Sequence, residues 1–147
     1  MTRINSAISV KCLTDEHLLA EHREIKRLPQ CLKKSKNLCI PDKFRLGAGH
    51  IKFFLDKMGF VKNRYKMIYE ECLRRGFAVV EYSENWDSVG NEYMNGYEPT
   101  SEERELLIER ISDRLMNSSK KFWHYCGKKI SKEDAIVLLN SNNNKQK

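Results

Sequence analysis

No stretch of this sequence approaches twenty consecutive apolar residues, and the opening Met1-Thr2-Arg3-Ile4-Asn5 lacks the apolar block of a signal peptide. A membrane-spanning helix and secretion are therefore not expected, and the pattern is that of an intracellular protein. Cysteine pairing signals are missing too. Cys12, Cys31, Cys39, Cys72 and Cys126 are odd in number, scattered and never spaced as CxxC, so they are expected as reduced thiols. The four histidines, His17, His22, His50 and His124, have no zinc-ligand spacing, and His17 and His22, five apart, do not share a helical face. Neither a structural metal nor a cofactor is expected. There is no internal repeat and no alternating strand pattern long enough to build a sheet, which leaves an all-α class.

What is present is charge. The 147 residues hold 27 Lys+Arg against 20 Asp+Glu, a net charge of +7, with 40% hydrophobic residues. One basic domain with a modest core fits that composition, and a polyanion is the natural partner of such excess positive charge, although solubility alone would also explain it.

Helical spacing marks three main elements joined by long irregular connections. The first starts after a Thr14 cap, with acids in its first turn and Leu18, Ile25, Leu28 and Leu32 on one side; Pro29 should kink or restart it. After Lys34 mostly irregular backbone is expected to about Ile51, punctuated by Pro41 and by Gly47-Ala48-Gly49. In the second helix Phe54, Met58, Val61, Tyr65, Ile68 and Cys72 recur at steps of four and three, and Gly76 ends it. Residues 78–99 lack a period and should form a long loop that is either functional or packed over the core. The third helix begins at a Thr100 cap, carries Leu107, Ile108, Ile111 and Leu115 inward, and ends near Asn117. A main domain over 1–129, a short helix over 130–139 capped by Ser131, and a disordered tail over 140–147 complete the expected organisation.

Several residues could carry chemistry. Arg23 and Arg27 are four apart on the first helix, and Glu24 is a carboxylate between these cations; a solvated, salt-bridged helix face is the plain alternative. Arg110 and Arg114 repeat the spacing on the third helix. With Lys33, Lys34, Lys120, Lys121, Lys128 and Lys129 they suggest a stripe that follows phosphates. Phe122-Trp123-His124-Tyr125, set between two lysine pairs, suits stacking on bases or, equally, closing the core. Gly47-Ala48-Gly49-His50 matches no phosphate fingerprint and implies only a tight turn.

Six blocks occur in a fixed order over roughly residues 1–129: MTRIN at 1–5; HLLAEHRE at 17–24 followed by Arg27; LGAGH with its FF and DK at 46–57; ECLRRGF at 71–77; RISDRL at 110–115; and YCGK ending at Lys128. In these the chain resembles the pyrimidine-dimer DNA glycosylase family. The resemblance implies a compact all-α fold and a glycosylase with abasic-site lyase activity that needs no metal or other cofactor. It implies that the nucleophile is the α-amino group of Thr2, exposed once Met1 is removed, and that Glu24 is the catalytic carboxylate. The DNA-contacting residues it implies are Arg3, His17, Arg23 and Arg27, with Arg110, Arg114 and Lys128 on the later elements. The partner implied is duplex DNA containing UV damage, with non-specific duplex DNA as the scanning substrate, bound by a monomer.

These residue types suit that reaction. A chain-terminal amine has a reference pKa of about 7.7–8.0 against about 10.4 for lysine, so on the order of a tenth is neutral at pH 7. Nearby arginines disfavour a further positive charge and lower it. An ionised carboxylate stabilises an oxocarbenium-like sugar and can move protons for imine formation and β-elimination. Two rival readings stand beside this one: the same chemistry on other damaged bases or abasic sites, and a non-catalytic module that binds damaged DNA.

Overall fold

The computed structural model describes residues 4–141; Thr2 and Arg3, two of the expected site residues, lie outside that range, as does the tail from 142. Ser141, within the expected tail, is held by a bond from its Oγ to Leu138 O of 2.7 Å.

Helix α1, Asp15–Ile25, begins where Thr14 Oγ1 accepts from His17 N, and Asp15 and Glu16 sit in its first turn against the positive end of the helix. It stops two residues short of Leu28, and Pro29 lies in the first turn of a separate helix α2, Leu28–Lys34, where its missing N–H has no helical partner to lose. Proline thus restarts the helix rather than bending it. Short helix α3, His50–Phe54, precedes α4, Met58–Arg74, so Phe54 of the expected stripe belongs to α3. Met58, Val61, Tyr65, Ile68 and Cys72 form the inner face of α4, which packs on α1. At its end Gly76 has φ +87°, with Phe77 N donating to Cys72 O and Gly76 N to Leu73 O. That paired closure requires the left-handed conformation glycine adopts without strain.

Residues 78–99 contain two short 3-10 turns, Ser83–Trp86 and Asn91–Tyr93, and Trp86 is buried with its ring 5.2 Å from that of Tyr65. The segment packs over the core. Helix α5, Ser101–Asn117, has the Thr100 cap and buries Leu107, Ile108, Ile111 and Leu115.

The class is mostly helical but not strictly all-α. Strands β1, Phe122–Tyr125, and β2, Lys128–Ser131, form an antiparallel hairpin with Trp123 opposite Ile130. Four residues per strand leave too little alternation to register in the sequence. The turn is formed by Cys126 at φ 52° and Gly127 at φ 82°, the pair of positive φ values that a two-residue hairpin turn needs. Tertiary contacts hold it. The Asp15 carboxylate accepts from Cys126 N at 2.9 Å and Gly127 N at 2.8 Å, Tyr125 donates its hydroxyl to Lys11 O, and the Arg75 guanidinium lies 4.2 Å from the Tyr125 ring centroid. Helix α6, Lys132–Leu139, follows directly, its Ser131 cap accepting from Asp134 N.

Candidate active site

The expected Arg23, Glu24 and Arg27 lie around the C-terminal end of α1. Arg23 and Arg27 are exposed and Glu24 is half-buried between them, with Arg27 Nη1 3.1 Å from Glu24 Oε2. Glu21, one turn earlier on the same helix, has the opposite fate. Its side chain is fully buried and bonded to Arg64 of α4 through two hydrogen bonds, Nε to Oε2 at 2.9 Å and Nη2 to Oε1 at 3.1 Å. One glutamate thus locks two helices together, and the next turn offers a second to the surface. His22, beside them, is buried against the Tyr65 and Tyr82 rings. Burial, followed by the charges of Lys26 and Arg23, lowers its pKa and favours the neutral imidazole.

The chain reaches this helix along a buried N-terminal segment. Ile4 and Ile8 are in the core. Asn5 Nδ2 donates to Glu21 Oε1 at 3.0 Å, Arg64 Nη1 donates to Ile8 O at 2.6 Å, and Ile4 N donates to Nε2 of His50 at 2.9 Å. Asn5 is therefore bonded one helical turn, about 4.5 Å of rise, from Glu24.

Basic residues spread along α1 and beyond. His17, half-buried, lies near the N-terminal end of the helix, with its Nδ1 2.8 Å from Thr14 Oγ1. Lys128, exposed, begins β2 directly after the turn held by Asp15. Arg23, Glu24 and Arg27 are at the other end, with Glu24 about 10 Å of helical rise from His17, the length of roughly three nucleotide steps. Arg110 and Arg114 lie on α5, the first half-buried and the second exposed. A cleft of about 400 Å³ opens beside the α1–α2 junction, lined in part by Lys26, Lys33, Glu84 and Asn85.

The aromatic block divides between the two roles its composition suited. Trp123 is buried and closes the core, while Phe122 is half exposed with Lys129 Nζ 5.3 Å from its ring centroid. His124 is a structural contact: its backbone N and its Nδ1 both donate to Glu16, which also accepts from Lys120 Nζ at 3.1 Å. Burial raises the Glu16 pKa, but the bonds from His124 and Lys120 outweigh it and bring the value down to about 2. Lys120, expected in the phosphate stripe, is thus engaged in docking the hairpin.

The sequence reading missed His50, Glu21, Arg64 and Asn5. Each is polar and sits in or beside an apolar stripe, and the only prior sign for His50 was its place in the LGAGH block. Gly49 explains part of that block. Its φ is +87°, and a Cβ there would come within 2.9 Å of the Arg45 side chain, so the turn that delivers His50 inward needs glycine. Among the described residues no three His, Cys, Asp or Glu side chains converge in a way that could hold a metal ion, and no helix is long and apolar enough to cross a membrane.

The model of a family described as pyrimidine dimer DNA glycosylase matches residues 1–85, more than half of the chain. The matched part runs through the buried N-terminal segment, the Glu24-bearing helix, the His50 turn and the whole of α4. By that match the chain belongs to the pyrimidine dimer DNA glycosylase family.

Proposed function

We propose that this protein excises at cyclobutane pyrimidine dimers in duplex DNA through an imine with the Thr2 amine and then incises the strand as an abasic-site lyase. The observation that carries the reading is the anchoring of Asn5 to Glu21, one helical turn from Glu24, a half-buried carboxylate flanked by two arginines. With Met1 removed, the neutral Thr2 nitrogen attacks the sugar C1′. The glycosidic bond breaks, and its electron pair leaves with the base. The nitrogen gives up two protons in turn, one to the displaced base and one to O4′ as the C1′–O4′ bond breaks, and the imine results. Removal of a proton from C2′ then expels the 3′ phosphate and leaves a double bond between C2′ and C3′. Glu24, as the carboxylate, stabilises the oxocarbenium-like sugar and is the base for the C2′ proton. No cofactor enters these steps.

Arg3, His17, Arg23 and Arg27 are the groups nearest the lesion in this reading, and Arg110, Arg114 and Lys128 hold phosphates of the bent duplex. A cross-linked step is already weakened in stacking, which lowers the cost of distorting it and supplies part of the selectivity. The protein acts as a monomer.

Borohydride trapping tests the proposal. Full-length protein incubated with UV-irradiated duplex should give a covalent adduct that peptide mapping locates at Thr2, and Glu24→Gln should bind the same duplex yet yield neither adduct nor strand cleavage. An adduct on a lysine would refute the Thr2 assignment. Cleavage of an abasic duplex with none of the UV-irradiated one would move the substrate to pre-existing abasic sites.

A further inference from the structure

We infer that His50 is a positioning residue for the amine chemistry, holding the N-terminal segment at Ile4, two residues from Thr2. The inference rests on the amine reading given above. His50 is 2% exposed, and its ring stands edge-on between Phe44 and Phe54, each with its centroid 5.4 Å away. Both ring nitrogens are used. Nε2 accepts from Ile4 N at 2.9 Å and therefore carries no hydrogen; Nδ1 carries it and lies 2.9 Å from Arg45 O, to which it donates. The imidazole thus bridges two backbone segments 41 residues apart in sequence, and the aromatic rings fix its plane.

Apolar packing alone would not need this bond. Ile4 and Ile8 already bury the segment, and Asn5 and Ile8 are tied to Glu21 and Arg64. The bond to His50 adds direction: it fixes where the Ile4 N–H points. Two residues of chain reach at most about 7 Å, so an amine at position 2 stays within that radius of the Ile4 nitrogen. An error in direction at Ile4 is passed along the chain toward the nucleophile. A misplacement of about 1 Å at a reacting group can cost on the order of a hundredfold in rate.

Two substitutions separate direction from stability, because each keeps a different edge of the ring. In His50→Asn the side-chain amide stands where Nδ1 was, able to donate to Arg45 O but not to reach Ile4 N. In His50→Gln the amide stands where Nε2 was, able to accept from Ile4 N. The measurement is the single-turnover rate of borohydride-trapped adduct on an abasic duplex at saturating protein, with the duplex Kd measured beside it. We expect His50→Asn to trap roughly 10- to 100-fold more slowly, with a Kd within about twofold of the parent, and His50→Gln to recover most of the rate.

Equal losses in the two variants, or parental trapping by His50→Asn, would overturn the positioning role. If His50→Asn does not fold, amide exchange at Ile4 in His50→Gln carries the test: faster exchange must come with slower trapping, and faster exchange with unchanged trapping overturns the inference. Peptide mapping of the parental adduct separates the two levels. An adduct at Thr2 with trapping indifferent to His50 refutes the inference alone, whereas no adduct at Thr2 in the parent refutes the amine reading and the inference with it.

Discussion

Glu21 and Glu24 lie one turn apart on the same helix, and the same conservative change should act on them in opposite ways. The Glu21 side chain has no exposure and that of Arg64 only 4%, with the two joined by paired hydrogen bonds. Glu21→Gln keeps the volume but leaves a buried guanidinium without its counter-charge. Breaking a buried pair from one side costs about 3–5 kcal/mol. At about 2–4 °C per kcal/mol for a chain of this size, that is a fall in Tm of roughly 6–20 °C. The Glu24–Arg27 pair is 24% and 61% exposed. Surface pairs of that kind contribute about 0–1 kcal/mol, so Glu24→Gln should melt within about 4 °C of the parent while losing base excision. Urea unfolding followed by far-UV circular dichroism gives both free energies, provided m is unchanged. Arg64→Met added to Glu21→Gln should cost less than the sum of the single changes by more than about 1 kcal/mol, because both belong to one network. A Glu21→Gln protein within about 1 kcal/mol of the parent would refute the claim that this pair locks α1 to α4.

Glu16, with its pKa brought down to about 2, contributes stability that is fully present above its ordinary value of 4.5 and lost as pH falls toward 2. Glu16→Gln should flatten the acid limb of a stability–pH curve in that window, and an unchanged limb would contradict the His124 and Lys120 contacts. In the hairpin turn, Gly127→Ala should destabilise by about 1–2 kcal/mol because φ is 82°, whereas Cys126→Asn, giving Asn-Gly at two positive φ values, should stabilise by a few tenths of a kcal/mol, both read from urea midpoints. Arg114→Ala should weaken damaged and intact duplex alike and reduce the slope of log affinity against log salt by about one, while Arg23→Ala should chiefly erode the preference for damage; salt-titrated binding to both duplexes distinguishes them. Cys72, buried and pushed up to about 11, should resist iodoacetamide in the native protein, whereas exposed Cys39 and Cys126 react, as peptide mapping of the alkylated protein will report.

Local signals in the chain were enough for the helices. Thr14 and Thr100 caps, the stripe from Met58 to Cys72 and the Gly76 stop all act over a few residues, so their consequences can be read without knowing what lies across the core. The family blocks likewise marked Glu24 and its arginines, because a charged cluster on an exposed helix face is visible as spacing. The hairpin was not visible. Its strands are four residues long, and its turn is held by Asp15, more than a hundred residues earlier. The same distance hid the division of labour on α1: Glu21 and Glu24 are alike in sequence, and only the arrival of Arg64 from α4 makes one a buried lock and leaves the other at the surface. His50 is the sharpest case, since a histidine after Gly47-Ala48-Gly49 implies a turn and no more until Ile4 is brought to its Nε2. Sequence alone determined the three main helices and the family, because caps, periods and motif blocks are local. Tertiary structure decided which polar groups are buried and what each one holds, because a hydrogen bond or an ion pair takes its partner from wherever the fold delivers it.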